Sequence, residues 1–178
     1  MAAGLWIYAT TLVRFIIDHE DLSWQWLVYV LEFHSQWIQL NTKSSVTAEL
    51  DAFYKMIISQ ISFKHLPIIQ QSLLICYTTS KAALHILCNI HGLALEDLKH
   101  ILSKLYSVLT FIPRRKREWG EPFPGSAYIS FYHTSFMEFL LDKTRLEEYW
   151  LEDWYHYTAL AIKLLYLFKD LYVINGIS

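Results

Sequence analysis

The chain has 178 residues, of which 54% are apolar and 16% aromatic, and its formal net charge is −2. That much apolar side chain excludes a disordered segment, and so little charge excludes a whole-chain field that draws nucleic acid or anionic membrane. Five glycines and four prolines leave few breakers in the long apolar periodicities, so the composition predicts a mainly α-helical fold, as one domain or two small packed modules.

A first helix is predicted over about residues 4–18. Leu5, Trp6, Ile7, Tyr8, Leu12, Val13, Phe15, Ile16 and Ile17 make it apolar on nearly every side, which predicts a central helix covered by others. It begins three residues after Met1, which fits a chain whose upstream partner is missing. A second helix, about residues 22–40, has Asp21 or Ser23 as its cap and is rich in tryptophan (Trp24, Trp26, Trp37). Those rings serve either a core or an aromatic face for a partner protein. After the polar break Asn41–Ser45, Ser45 caps a helix with Leu50, Phe53, Tyr54, Ile57, Ile58 and Ile61 on one face. Pro67 suits the first turn of the next helix, with Ile69, Leu73, Cys76 and Tyr77 aligned. Ser80 is the expected cap of a helix carrying Leu84, Leu87, Cys88 and His91, stopped by Gly92 at a left-handed position. Helical spacing then continues through Leu98, Ile101, Leu102, Leu105, Val108 and Leu109. A long hairpin should follow, from about Leu109 to Tyr132, with Gly120, Pro122, Pro124 and Gly125 in its turn. Three short helices followed by a hairpin is the winged-helix order.

The period changes inside the stretch from Ile129 to Leu141. Ile129 and Phe131 share one strand face and Ser130 and Tyr132 the other, whereas Phe136, Phe139 and Leu140 fall at helical spacing. Ser135-x-x-Glu138 reads as a capping box. His133 sits on the joint, just before a helix N-terminus whose free amides and dipole favour an anion. An imidazole there either completes a phosphate contact or hydrogen-bonds a backbone carbonyl. Arg145 to Trp150 is a short aromatic and charged piece. A final helix carries Trp154, Tyr157, Ala161, Leu164, Leu165, Phe168 and Tyr172, ended by Asn175-Gly176.

Several chemistries lack their residues. No G-x-x-x-x-G-K-[ST] occurs, and no apolar strand ends in an aspartate placed for Mg²⁺. C-x-x-C and H-E-x-x-H are missing, so no metal site is expected, and Cys76 and Cys88 read as reduced, buried, intracellular thiols. No serine lies in G-x-S-x-G. Glu147-Glu148 and Glu152-Asp153 are helix neighbours that point apart, and Cys88 with His91 reads as core. The expectation is a chain without catalytic activity of its own. Arg114-Arg115-Lys116-Arg117 is the strongest basic run, but Glu96 and Asp97 open the helix in the recognition position and would repel phosphate. The run therefore reads as a solvated loop or protein contact before nucleic acid. Leu5 to Val13 lacks the basic flank and cleavage site of a secretory signal, and no stretch reaches the roughly 18–20 uncharged apolar residues that span a bilayer.

An ordered set of short motifs carries a resemblance. Phe131-Tyr132-His133-Thr134-Ser135-Phe136-Met137-Glu138-Phe139-Leu140 resembles the end of the winged-helix module in NACHT-type signalling NTPases of the STAND, NLR-like class, the fungal group above all. In order before it stand Gly4-Leu5-Trp6-Ile7-Tyr8-Ala9-Thr10 with Val13-Arg14-Phe15-Ile16, then Leu50-Asp51-Ala52-Phe53-Tyr54 with Ile57-Ile58, then Leu105-Tyr106-Ser107-Val108-Leu109. Asp142-Lys143-x-Arg145 follows it. The resemblance covers roughly residues 4–172, with 19–45 matching least. It implies a helical lid region over 1–64 after a nucleotide-binding core, a winged-helix module over 65–142, and the start of a further helical region over 143–178. It implies that His133 contacts the β-phosphate of ADP, that ADP or ATP binds only with the NTPase core (in cis or lost), and that the protein is cytoplasmic, with protein partners and scope for homo-oligomers. Two other readings stay open: a free-standing helical interaction module or gene remnant, and a winged-helix DNA-binding protein.

Overall fold

The computed structural model describes residues 2–17, 23–40, 46–79, 82–113, 125–146 and 154–174. Within them the protein is mainly helical, with one small antiparallel hairpin and a C-terminal helix. The fold is organised around α3 (Val46–Ser59). Leu50, Phe53, Tyr54, Ile57 and Ile58 recur at helical spacing and all are buried, as the one-face pattern predicts. The rings of Phe53 face Tyr8 and Phe15 of α1 (Ala2–Ile17) at centroid distances of 5.5 and 5.6 Å. One residue further round, the ring of Tyr54 meets Phe136 and Phe139 of α7 (Thr134–Leu141) at 5.0 and 5.3 Å. Adjacent residues on a helix diverge by about 100°, so α3 is packed on two sides at once.

The first helix departs from its expected central place. Phe15 and Thr11 are buried, but Leu5, Trp6, Val13 and Ile17 are exposed along one side. In α2 (Ser23–Leu40) Val30 is buried, and Trp24, Leu27 and Leu31 are exposed. Sequence periodicity cannot separate a helix covered on all sides from one covered over part of its surface, and here α3 and α2 leave one side of α1 open.

From α4 (Leu66–Thr79) onward the chain forms a second group of elements. Pro67 lies in the first turn, as expected. The burial is wider than a single face: every residue from Ile69 to Cys76 is buried, Gln70, Gln71 and Ser72 included, while Tyr77 is exposed. Helix α5 (Leu84–His91) starts later than expected: Ala83, which has no capping side chain, takes the N-cap position in place of Ser80, and Ser80 itself lies outside the described residues. Gly92 ends α5 at φ 63°, ψ 36°, a conformation that costs glycine nothing, and the Leu93 amide donates to the Cys88 carbonyl at 3.0 Å.

Helix α6 (Leu95–Leu102) is shorter than its periodicity. A 3-10 turn over Ser103–Leu105 replaces its last turn, and Leu109 opens strand β1 (Leu109–Ile112). Val108 and Leu109 keep helical spacing in the sequence yet fold as turn and strand, because pairing with β2 (Tyr128–Phe131) overrides local pattern. The register sets Leu109 opposite Phe131 and Ile112 opposite Tyr128. On the other side of β2, Ala83 forms a single antiparallel bridge to Tyr128, and the Leu84 amide donates to the Ala127 carbonyl at 2.8 Å. Of the expected turn residues only Gly125 is described. It sits at φ 90°, where a Cβ would stand 3.4 Å from that of His85. Gly120, Pro122, Pro124 and the basic run Arg114–Arg117 lie outside the described residues, as do the capping residues Asp21 and Ser45, the carboxylate pairs at 147–148 and 152–153, and Asn175-Gly176.

Helix α8 (Lys143–Leu146) and the long α9 (Trp154–Ile174) complete the chain. One continuous cluster of buried side chains runs from Phe15 to Leu146, and Leu160, Leu164 and Leu167 of α9 pack on its outside. No helix among the described residues is long and apolar enough to cross a membrane.

Candidate functional site

The joint between β2 and α7 is built from three elements distant in sequence. The Tyr132 amide donates to the Val108 carbonyl at 3.0 Å and holds the end of β2 against the start of β1. His133 follows with extended backbone (φ −144°, ψ 139°) as the N-cap of α7, half-buried. Its side chain makes no capping hydrogen bond, so it is not spent on satisfying α7's first amides. From α1 the Arg14 guanidinium lies 3.6 Å from the centre of the Tyr132 ring, a cation–π contact that brings a fixed positive charge to the residue next to His133.

The expected capping box does not form. Helix α7 begins at Thr134, which places Ser135 inside the first turn, and the Ser135 hydroxyl bonds the Tyr54 hydroxyl at 2.9 Å. Glu138 is exposed on the outer side of the helix. A buried phenol from α3 takes the hydroxyl because Tyr54 has no water to turn to. Burial, reinforced by the charges of Asp51 and Glu138, pushes the Tyr54 phenol above its ordinary value against the opposing effects of Ser135 and Arg145.

A second link ties the same pair of regions. The Arg145 Nε donates to Asp51 Oδ2 at 2.9 Å and its Nη2 pairs with Oδ1, a two-pronged ion pair from α8 to α3. The hydrogen bond to Asp51 raises the guanidinium's pKa further. Asp142 turns the chain into α8, its Oδ1 accepting from the Thr144 amide at 2.9 Å and hydroxyl at 2.6 Å, and these bonds hold its carboxyl below the ordinary range. Asp51 and Arg145 thus meet across the fold although the sequence shows them only as parts of separate motifs.

Other candidates resolve into structure. Burial pushes the Cys76 thiol up to about 12 and also raises Cys88, so neither is a thiolate at neutral pH. His91 faces Ser72 Oγ at 3.1 Å through Nε2 and Lys163 Nζ at 3.3 Å through Nδ1. Lys163 also donates to Gln71 Oε1 at 2.7 Å. Because an ammonium only donates, Nδ1 accepts and Nε2–H donates to the serine, the neutral tautomer. Desolvation, then the nearby lysine charge, lowers the His91 pKa to about 4. Helix α6 meets solvent with Glu96 paired to Lys99 at 2.9 Å, an acidic start that offers a phosphate backbone nothing. No group of three or more potential metal ligands occurs among the described residues.

Arg14 is the residue that sequence reasoning did not weigh at this joint. It stands in the first helix, and no local signal connects it to Tyr132. Comparison with family models, with curated proteins and with solved structures returns no match.

Proposed function

We propose that the chain is the regulatory segment of a NACHT-like signalling NTPase, closing over ADP or ATP bound to a neighbouring core and mediating the switch between closed and open forms. The observation that carries the reading is the imidazole of His133 at the N-cap of α7, which makes no capping hydrogen bond, with the Arg14 guanidinium over the ring of the preceding Tyr132. A nucleotide phosphate is the ligand such a joint would complement, through free first-turn amides, an imidazole and a nearby cation. The order α4, bridge residue Ala83, α5, α6, β1, β2 supports reading this part as a winged-helix module. The module's hairpin then serves to present His133, and Asp51–Arg145 keeps the preceding helical region fixed to it.

The test is His133→Ala in a protein that joins this chain to its nucleotide-binding core. The first step is to read the codons upstream of Met1 for a frame encoding G-x-x-x-x-G-K-[ST]. Loss of one charge-assisted hydrogen bond costs about 1.5–3 kcal/mol, roughly a ten- to hundredfold faster release of fluorescent ADP. Unchanged ADP release, with no gain in resting activity, would remove the sensor role.

A second reading, a helical protein-interaction module, is favoured by Trp6 and Trp24, each 69% exposed on α1 and α2. Under it the chain works without nucleotide, and a stop codon directly upstream of Met1 in a transcript that begins there would bring it to the fore.

A further inference from the structure

Arg14 and Tyr54 reach the joint between β2 and α7 from two helices that are themselves packed together. The Arg14 guanidinium lies 3.6 Å from the centre of the Tyr132 ring, and the Tyr54 hydroxyl bonds the Ser135 hydroxyl at 2.9 Å. Tyr132 immediately precedes His133, and Ser135 follows it by two residues. The two ties therefore grip the short backbone segment that carries the imidazole, one on each side of it. His133 adds no capping bond of its own.

The neighbours of the two gripping residues join them. Phe15, next to Arg14, and Phe53, next to Tyr54, are buried and pack edge to face at 5.6 Å. On the other side, the rings of Tyr54 and Phe136 meet at 5.0 Å and those of Phe136 and Phe131 at 6.2 Å, which leads back to the residue before Tyr132. The contacts close a circuit. It runs from α1 to α3 through the two phenylalanines, from α3 to α7 through Tyr54, from α7 to β2 through Phe136, and from β2 back to α1 through Arg14. Close-packed rings transmit strain, so a shift of α1 or α3 is passed to both ends of the segment that holds His133.

We propose that Arg14 and Tyr54 are positioning residues for His133: through them α1 and α3 jointly set where the imidazole stands, and displacement of α1 releases it. The inference rests on the nucleotide reading only for what His133 does. The grip itself is a property of this chain and is measurable without nucleotide.

The experiment follows amide exchange by NMR in the ¹⁵N-labelled full chain. The Tyr132 amide, bonded to the Val108 carbonyl, reports opening of the joint, and the Leu93 amide, bonded to the Cys88 carbonyl at the end of α5, reports loss of stability elsewhere. Arg14→Ala should speed Tyr132 exchange about two- to fivefold. Tyr54→Phe, which keeps the ring and removes the hydroxyl, should speed it about two- to tenfold, and the two together more than either alone. Leu93 should keep its rate throughout. Arg14→Ala placed on Tyr132→Leu should add nothing, because the ring that the guanidinium covers is already gone. Spectra of ring-labelled histidine then follow the imidazole. The His133 peak, assigned by its loss in His133→Gln, should shift in Tyr54→Phe while those of His65 and His100 stay in place. Tyr132 exchange unchanged in Tyr54→Phe, Leu93 accelerating in step with Tyr132, or an unmoved His133 peak each overturns the proposal. If the grip holds but ADP release from the joined protein ignores His133→Ala, the sensor role falls and the positioning stands. The reverse result leaves the sensor and removes Arg14 and Tyr54 as its positioners.

Discussion

His91 joins α4, α5 and α9 through one neutral ring. The sequence places it correctly on the apolar face of α5 with Leu84, Leu87 and Cys88, but it contains no sign of Ser72 or Lys163, which approach from elements far along the chain. Folding lowers the ring's pKa to about 4 from an unfolded value near 6.5. Between those values the unfolded chain takes up a proton that the folded one refuses. The resulting loss of stability is absent above about pH 6.5, grows as pH falls, and is complete below about pH 4. Thermal melts of the wild type and His91→Gln, stepped through that window, should therefore converge toward acid, and parallel curves would show that the ring does not titrate with unfolding. Ser135 teaches the same lesson about legibility. Its capping spacing to Glu138 is plain in the sequence, yet the hydroxyl is claimed by Tyr54, and local rules do not see a partner 81 positions away.

Between elements, the ion pair of Asp51 with Arg145 clamps α3 to α8. The two side chains are 20% and 27% exposed, which places the pair between a surface bridge of little worth and a buried one whose breakage is severe. Arg145→Ala should therefore cost about 1–3 kcal/mol in urea denaturation. Arg145→Lys should recover only part of that, since an ammonium cannot match both carboxylate oxygens. A full recovery by lysine would mean that charge alone matters. Helix α3 itself is the most legible element, because a strict apolar period and deep burial agree along its length. Helix α6 is the least legible at its end: its apolar spacing runs on to Leu109, and only the partner strand, beyond a long connection, decides that the helix stops at Leu102. The burial of α4 round its whole girth is equally hidden, since Gln70, Gln71 and Ser72 read as a solvent face until Lys163 and His91 are seen against it.

For the whole molecule, the feature that composition announces and periodicity misplaces is the surplus of apolar side chain. The core takes one face of α1, and the rest stays outside: Leu5, Trp6, Val13 and Ile17 on α1, with Trp24, Leu27 and Leu31 on α2. Large exposed apolar side chains on two neighbouring helices mark a candidate contact site. The isolated chain should self-associate in sedimentation velocity runs, and Trp6→Ser with Trp24→Ser should reduce that association while changing stability by no more than about 0.5 kcal/mol each. A chain that is monomeric with both tryptophans present would leave that surface without a contact role. Helix α3, finally, sets the timetable of synthesis. Its hydroxyl and carboxylate partners, Ser135 and Arg145, lie 81 and 94 positions downstream. A ribosome therefore releases α3 with its Tyr54 side bare and must add most of the remaining chain before that side can close. Nascent chains halted ahead of Leu146 would offer chaperones a sticky helix, and those extended past it would not.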